Sequence, residues 1–131
     1  MPGLPQKFGA ITLFVSDPQA SKDFYARVFD ASPIFEADDA VTLKIGDVLV
    51  NLLAESSAPE LIEPAPVGAR DAGARSQFTV WVDDADAAFN ELKSRGIEFL
   101  NGPIDRPWGV RTAAFGDPDG HMWELAQQVA G

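Results

Sequence analysis

The chain has 131 residues, 46% of them hydrophobic, which is enough for one domain with a substantial core. Twenty acidic residues against ten basic ones give a formal net charge of −10, which argues against nucleic acid or an anionic membrane as a partner. The sequence has no signal-peptide pattern at its start, no apolar run of membrane-spanning length and no cysteine, so we expect a cytoplasmic protein.

The first predicted element is a strand, because FGAITLFVSD at residues 8–17 alternates between two faces. A helix should follow, since Asp17 is a good N-cap and Pro18 suits the first helical position. Tyr25 lies among apolar residues at helical spacing and is expected in the core. PIFEA and VTLKIGDVLVNLL predict three further strands, the last two joined by a turn at Gly46-Asp47.

The sequence then repeats itself. A shift of 67 places lays residues 10–20 on residues 77–87 and matches Thr12 with Thr79 and Asp17 with Asp84. The second copy predicts a helix that starts at Ala85 and stops at Gly96, a strand at 97–100 and a hairpin at 110–127. The order βαβββ therefore occurs twice within one domain, residues 1–131: module one at about 8–54, a Pro-, Ala- and Gly-rich linker at about 55–75, and module two at about 76–128.

Two acidic clusters have simple structural interpretations. Glu36, Asp38 and Asp39 fall near a turn and are expected at a solvated sheet edge. In FGDPDGHMWEL, residues 115–125, the stretch 117–120 has the residues of a type I hairpin turn. His121 is three residues from Glu124, so in a regular strand the two side chains face opposite sides and cannot share a metal ion.

The two halves, ITLFVSDPQASKDFYARVF and FTVWVDDADAAFNELKSRGIEF, and the closing RPWGVRTAAFGDPDGHMWELAQ resemble the vicinal oxygen chelate superfamily. This superfamily contains glyoxalases, bleomycin-resistance proteins and extradiol dioxygenases. The resemblance implies an α+β fold in which two tandem βαβββ modules form a curved, mainly antiparallel sheet around a concave cavity. It also implies a homodimer and a ligand or metal ion held in that cavity.

The resemblance also indicates which positions would bind a metal ion in this chain: Ala10, Asn51, Gln77 and Glu124. Only Glu124 is a strong ligand, and Ala10 has no donor atom. A carboxylate and two amides suit zinc or ferrous iron poorly, whereas magnesium or manganese would accept such oxygen donors with added waters. We therefore expect no tightly bound transition metal and no other cofactor.

Strand alternation indicates which side chains face the cavity. If Ile11, Phe78 and Leu125 pack under the helices, residues one position away along each strand face inward. The same rule places Trp123 in the core. The expected inner surface is mainly apolar, with a few polar groups, as small-molecule pockets usually are: Ala10, Thr12, Phe14, Leu49, Asn51, Leu53, Gln77, Thr79, Trp81, Met122 and Glu124.

Some residues keep two interpretations. Glu124 would face solvent as most glutamates do, or would face the cavity, where desolvation makes its carboxylate a stronger base that could also pair with a cation. Trp81 and Trp108 would stack on a planar ligand or fill core; by resemblance, the loop of Trp108 covers one mouth of the cavity. Arg111 would bind a ligand carboxylate or phosphate, or form a surface ion pair.

The leading functional hypothesis is a protein that binds a small aromatic or cationic molecule and sequesters a drug or toxin, without a complete metal site. Its expected ligand-binding residues are Phe14, Asn51, Gln77, Trp81, Trp108, Arg111, Met122 and Glu124. The rival is a glyoxalase-like lyase, isomerase or dioxygenase in which Glu124 is a base or metal ligand. A third hypothesis is a filled cavity and action through a surface partner.

Overall fold

The structure, a computed structural model, describes residue 3 and residues 8–129. The chain divides into two compact units, which meet in sequence between Val67 and Gly68 and are called here the first and second unit. No helix within the described residues is long and apolar enough to cross a membrane. The elements of the first unit are β1 (Ala10–Val15), α1 (Pro18–Phe29), β2 (Pro33–Ala37), β3 (Ala40–Ile45), β4 (Val48–Ala54) and α2 (Pro59–Ile62). Those of the second are β5 (Gln77–Trp81), α3 (Ala85–Ser94), β6 (Phe99–Asp105), β7 (Val110–Gly116) and β8 (Met122–Gln128).

Each unit has its own four-stranded sheet. The strand orders are β1-β4-β3-β2 in the first sheet and β5-β8-β7-β6 in the second. In both sheets the first strand of the unit pairs in parallel with the last, and the other pairs are antiparallel. The predicted α+β fold with βαβββ twice is confirmed, while the concave cavity stays a prediction.

The two long helices begin at capping aspartates: Asp17, which was predicted as a cap, and Asp84, which the repeat aligned with it. The side chain of Asp17 accepts the backbone N–H groups of Gln19 at 3.0 Å and Ala20 at 3.4 Å, and Asp84 accepts that of Ala87 at 3.0 Å. Each carboxylate satisfies a donor that the first turn of the helix would otherwise leave free. The repeat that matched these two aspartates thus corresponds to a shared local structure.

The predicted division of each sheet into two faces is confirmed. The face packed against the long helix of the same unit is called here the helix face, and the other is the opposite face. In the second unit, Phe89 of α3 contacts Phe99 with ring centroids 4.5 Å apart, which identifies the helix face. Tyr25 is fully buried, as expected. Most other buried apolar residues of the strands also lie on helix faces: Leu13, Val15, Val41, Leu43, Val50, Leu52, Ala113, Phe115, Trp123 and Leu125. Ala114 and Ala126 are buried on the opposite face of the second sheet.

The structure corrects two details of the predicted elements. The linker contains the short helix α2, next to the fully buried Ala58. The strand expected at 97–100 starts at Phe99 and continues to Asp105. Ile97 does not join it because its N–H donates to Leu92 O at 3.0 Å and its side chain is buried, so it closes the end of α3.

The acidic cluster near β2 has the predicted environment. Glu36, Asp38 and Asp39 are exposed, and β2 is an edge strand. Glu36 pairs with Lys22 at 2.9 Å, and Asp39 accepts a hydrogen bond from Ser57 at 2.7 Å. These contacts explain the acids without a ligand.

Candidate ligand-binding faces

A carboxylate lies on the opposite face of the second sheet. Thr79 and Glu124 are register partners on the parallel strands β5 and β8, and Thr79 Oγ1 donates to Glu124 Oε1 at 2.9 Å. Glu124 is half-buried. Its second oxygen, Oε2, has no hydrogen-bond or ion-pair partner among the residues that the structure describes. The carboxylate is therefore oriented by the protein and still has an acceptor to offer.

Other predicted pocket residues of the second unit flank this pair. Gln77 pairs in register with Met122, and Trp81 pairs with Ala126, so these residues share the face of Glu124. Gln77 and Trp81 are exposed and Met122 is half-buried. The indole of Trp81 is 62% exposed, which rules out the interpretation that it fills the core. The exposed indole of Trp81 on β5 is thus two residues beyond Thr79, the register partner of Glu124 on the adjacent strand β8.

An open depression lies beside Trp81. Its volume is about 350 Å³, and its lining residues are Trp81, Val82, Asp83, Gln127 and Gln128. Gln127 Oε1 accepts the N–H of Ala85 at 2.8 Å, which ties the wall of the depression to the start of α3. The depression provides room for a small molecule in contact with the indole, and its one charged group is the carboxylate of Asp83.

In the equivalent region of the first sheet, two hydrogen bonds link three polar side chains in a row. Thr42 Oγ1 donates to Asn51 Oδ1 at 2.8 Å, and Asn51 Nδ2 donates to Thr12 Oγ1 at 3.2 Å. Thr12 and Thr42 are both register partners of Asn51. Phe14, Leu49 and Leu53 share this face and are half-buried. Asn51 thus lies on the opposite face beside both threonines, and its amide oxygen and nitrogen each already have a partner.

The four positions that the family would use for metal binding do not fit a transition metal in this chain. Ala10 has no donor atom, and the oxygen of Asn51 already accepts from Thr42. In the second unit, Glu124 and Gln77 supply one carboxylate and one amide, without imidazole or thiolate. Across residues 8–129, no three His, Cys, Asp or Glu side chains are grouped so that they could hold a metal ion.

The acidic turn before β8 is held by its own aspartate. Asp117 Oδ1 accepts the N–H groups of Asp119 at 2.9 Å and His121 at 2.8 Å. The N–H of Gly120 donates to Asp117 O at 3.1 Å, and His121 Nδ1 lies 2.9 Å from Asp117 Oδ2. Asp117 and Asp119 are buried. Asp117 therefore holds the turn that was predicted at 117–120, and His121, the residue after the turn, contacts its carboxylate.

Arg111 lies away from Glu124. Its Nε is 2.6 Å from Asp105 Oδ1, and its Nη1 is 3.1 Å from Asp86 Oδ2 on α3. Asp86 belongs to α3, so Arg111 is on the helix face, whereas Glu124 is on the opposite face. Hydrogen bonding to Asp105 raises the pKa of Arg111, and the same contact lowers the pKa of Asp105. The surface ion pair is thus present, and an anionic ligand would have to displace two carboxylates.

Another arginine, Arg106, lies in the loop between β6 and β7 and was not among the site residues predicted from the sequence. Its Nε donates to Thr112 Oγ1 at 2.9 Å, and its Nη2 is 3.5 Å from Asn101 Oδ1. Trp108, two residues further along, is 72% exposed, and Gly109 N donates to Arg106 O at 3.1 Å in the same turn. The available signal was the threonine six residues after Arg106, but its orientation depends on the register of β7.

The comparisons agree with this architecture. The family model for the glyoxalase/bleomycin resistance protein/dioxygenase superfamily matches residues 7–125. An uncharacterized Bacillus subtilis (strain 168) protein, YraH, is 27% identical in an alignment of 125 residues that covers 91% of this chain and 96% of that protein. A glyoxalase/bleomycin resistance protein/dioxygenase from Nocardioides superposes with a TM-score of 0.88 at 23% identity, covering 100% of this chain and 88% of that one.

A lactoylglutathione lyase from Agrobacterium tumefaciens superposes with a TM-score of 0.73 at 20% identity, covering 94% of each chain. At such identities the two structural matches establish the fold alone. The family model covers most of the chain and agrees with the repeated βαβββ units. The chain belongs to the glyoxalase/bleomycin resistance protein/dioxygenase superfamily.

Proposed function

We propose that this protein binds a small aromatic molecule on the opposite face of the second sheet, between Trp81 and Glu124. The observation that supports this proposal is the carboxylate of Glu124, which Thr79 orients and whose Oε2 has no partner among the described residues. A ligand ammonium or N–H group would donate to Oε2, and its ring would stack on the exposed indole.

The register sets the size of the ligand. Trp81 is two residues beyond Thr79 on β5, and Thr79 is the partner of Glu124 on the adjacent strand. Strand spacing and rise then separate the Cα atoms of Trp81 and Glu124 by about 8 Å. An aromatic ring with a short amine-bearing arm matches that span.

Sequestration of a drug or toxin is the use we propose for this face. A protein with a net charge of −10 attracts cations over its whole surface. Binding alone suffices for sequestration, so the role needs neither a nucleophile nor a metal ion. The proposal draws on the chemistry of Glu124 and Trp81 and on the description of the matched family, which includes bleomycin resistance proteins.

Titration with benzylamine, monitored by two-dimensional NMR of the protein, tests the binding site. Glu124→Gln should weaken binding by about tenfold, because it removes a charge-assisted hydrogen bond. Trp81→Ala should weaken it by roughly threefold to tenfold through loss of ring stacking. Glu98→Gln is the matched control, since it removes one exposed carboxylate of the same unit outside the strands and should leave binding unchanged. Equal losses in Glu98→Gln and Glu124→Gln would reduce the proposal to a nonspecific charge effect.

The free Oε2 of Glu124 also favours a second candidate, an enzyme in which Glu124 accepts a proton from the substrate. That candidate requires turnover that Glu124→Gln abolishes while NMR shows an intact fold. A metal-dependent variant requires one equivalent of nickel, zinc, manganese or iron per chain in protein purified without chelators, lost on Glu124→Gln. Benzylamine binding without turnover of any tested carbonyl substrate supports the binding protein instead.

We also propose a cytoplasmic homodimer. Edge strand β2 exposes Ile34 at 61% and Phe35 at 57%, and apolar side chains of this size are usually covered. The absence of cysteine accords with a reducing compartment. Sedimentation equilibrium measures the molecular mass of the wild-type protein and of Phe35→Glu in solution. A monomeric wild-type protein would contradict the proposed homodimer.

A further inference from the structure

We propose that Arg106 is an oxyanion-binding residue and that the ligand carries a carboxylate or phosphate group. This inference rests on the proposed function, since it places the oxyanion on the same sheet face as Trp81 and Glu124. It assigns to Arg106 the anion contact that sequence analysis expected of Arg111. The two arginines lie on opposite faces of the second sheet and have contrasting partners.

The partners of Arg106 are neutral. Thr112 Oγ1 accepts from Nε at 2.9 Å, and Asn101 Oδ1 lies at the hydrogen-bond limit of 3.5 Å from Nη2. Among the residues that the structure describes, Arg106 has no carboxylate within ion-pair distance and no partner for Nη1. Arg111, by contrast, contacts two carboxylates. In a chain with twice as many acidic as basic residues, a half-buried guanidinium without an acid is unusual.

The guanidinium is held in place before any ligand arrives. Thr112 is 2% exposed, and its hydroxyl fixes the Nε edge of Arg106. The remaining N–H groups on Nη1 and Nη2 form the edge that grips a carboxylate or phosphate with two parallel hydrogen bonds. Because the arginine needs little further ordering, most of the interaction energy with an oxyanion is available for binding.

The register places this guanidinium near the proposed ligand. Thr112 pairs with Ala126 on β8, and Ala126 pairs with Trp81 on β5. Trp81, Ala126 and Thr112 therefore form one row across the opposite face, with Trp81 and Thr112 about 10 Å apart at Cα. Glu124 lies in the next row. An aromatic ring on Trp81 can thus direct an oxyanion toward Arg106 and an amine toward Glu124, which defines an aromatic molecule bearing both groups.

The test compares phenylacetate with phenylacetamide, which share a ring and differ in charge. Wild-type protein should bind the acid about tenfold more tightly than the amide in NMR titrations, and the Arg106 side-chain Nε–H signal should shift. Arg106→Gln should reduce that preference to about onefold. Arg106→Lys keeps the charge but loses the two-pronged grip, so it should retain part of the preference and provides a second variant if the glutamine disturbs the fold. Arg111→Gln is the matched control and should keep the full preference.

The outcomes separate the two proposals. Equal binding of acid and amide, with both weakened by Trp81→Ala, overturns the oxyanion site and leaves the proposed function standing. If neither aromatic probe binds, inorganic phosphate decides: a shift of the Arg106 Nε–H signal, which is assigned by its absence in Arg106→Gln, supports the oxyanion site without the aromatic ligand if it exceeds the shift of the Arg111 signal. A phosphate titration that leaves this signal in place, or that shifts the Arg111 signal equally, overturns it.

Discussion

The two units share a strand order but differ in chemistry at the equivalent place. Asn51 of the first unit and Glu124 of the second occupy matching positions on the last strand, each beside a threonine of the first strand. Asn51 has a second threonine, Thr42, on its other side, where Glu124 has Ala114. The repeat therefore preserves the framework while the polar groups on it diverge.

This difference decides which cluster is complete. A side-chain amide both donates and accepts, so Asn51 accepts a hydrogen bond from Thr42 and donates one to Thr12. A carboxylate only accepts, and the one hydroxyl of Thr79 leaves Oε2 of Glu124 to water or a ligand. The first cluster is thus closed in the sense that both polar side-chain atoms of Asn51 have a protein partner. The second is open and is the better candidate for binding.

The largest expected effect tests whether the two frameworks are equivalent. Leu52 and Leu125 occupy matching positions on β4 and β8, and they are 0% and 3% exposed. Leu52→Ala and Leu125→Ala should each lower the free energy of unfolding by about 2–5 kcal/mol, because each removes buried methyl groups and leaves a cavity. Urea denaturation followed by circular dichroism measures both.

Val48→Ala is the control for this pair, since Val48 is 37% exposed and its truncation should cost far less. A cost near zero for either leucine would mean that its strand is not core and that the frameworks are not equivalent.

Most of this framework could be predicted from the sequence. Alternation in ITLFV and FTVWV indicated both helix faces, and Asp17 marked the start of the first helix, because these features depend on neighbours in the chain. The short helix α2 has only four residues, too few for a periodic apolar pattern. Ile97 resembled a strand residue until its burial against the end of α3 was known.

The candidate site was predictable only in part. The alternation of side chains along the strands was enough to predict that Trp81 and Glu124 share one face, as the structure shows. It could not distinguish Arg106 from Arg111, because Arg106 lies in a loop, where alternation does not apply, and its contact with Thr112 depends on tertiary structure. The orientation of Arg111 could have been predicted, because side chains alternate along β7: Arg111 is adjacent to Thr112, faces the other side of the sheet and so faces α3.

A smaller effect tests whether the first cluster is closed and the second open. Thr42→Val removes the donor to the half-buried Asn51 and should lower the free energy of unfolding by about 0.5–1.5 kcal/mol. Thr79→Val removes the donor to Glu124 at a more exposed place, where water can replace it, and should cost less than about 0.5 kcal/mol. Urea denaturation of both variants measures the difference. Equal costs would show that Glu124 depends on its threonine as much as Asn51 does.

The smallest expected effect concerns one exposed ion pair in each unit. A hydrogen bond from Lys22 lowers the pKa of Glu36 from its ordinary 4.5, and one from Arg111 lowers the pKa of Asp105 from 3.8. Both pKa values are lower in the folded protein than in the unfolded chain. Each ion pair therefore stabilises the fold at a pH above the ordinary pKa of its carboxyl group, and this contribution is lost as the pH falls through the folded-state pKa. Carboxyl NMR titration should show both pKa values returning upward in Lys22→Gln and Arg111→Gln. The larger return should be that of Asp105, because two guanidinium nitrogens of Arg111, Nε and Nη2, contact its two oxygens at 2.6 and 3.4 Å, whereas Glu36 has a single contact with Lys22 at 2.9 Å. A larger return for Glu36 would mean that the two-point contact of Arg111 does not persist in solution.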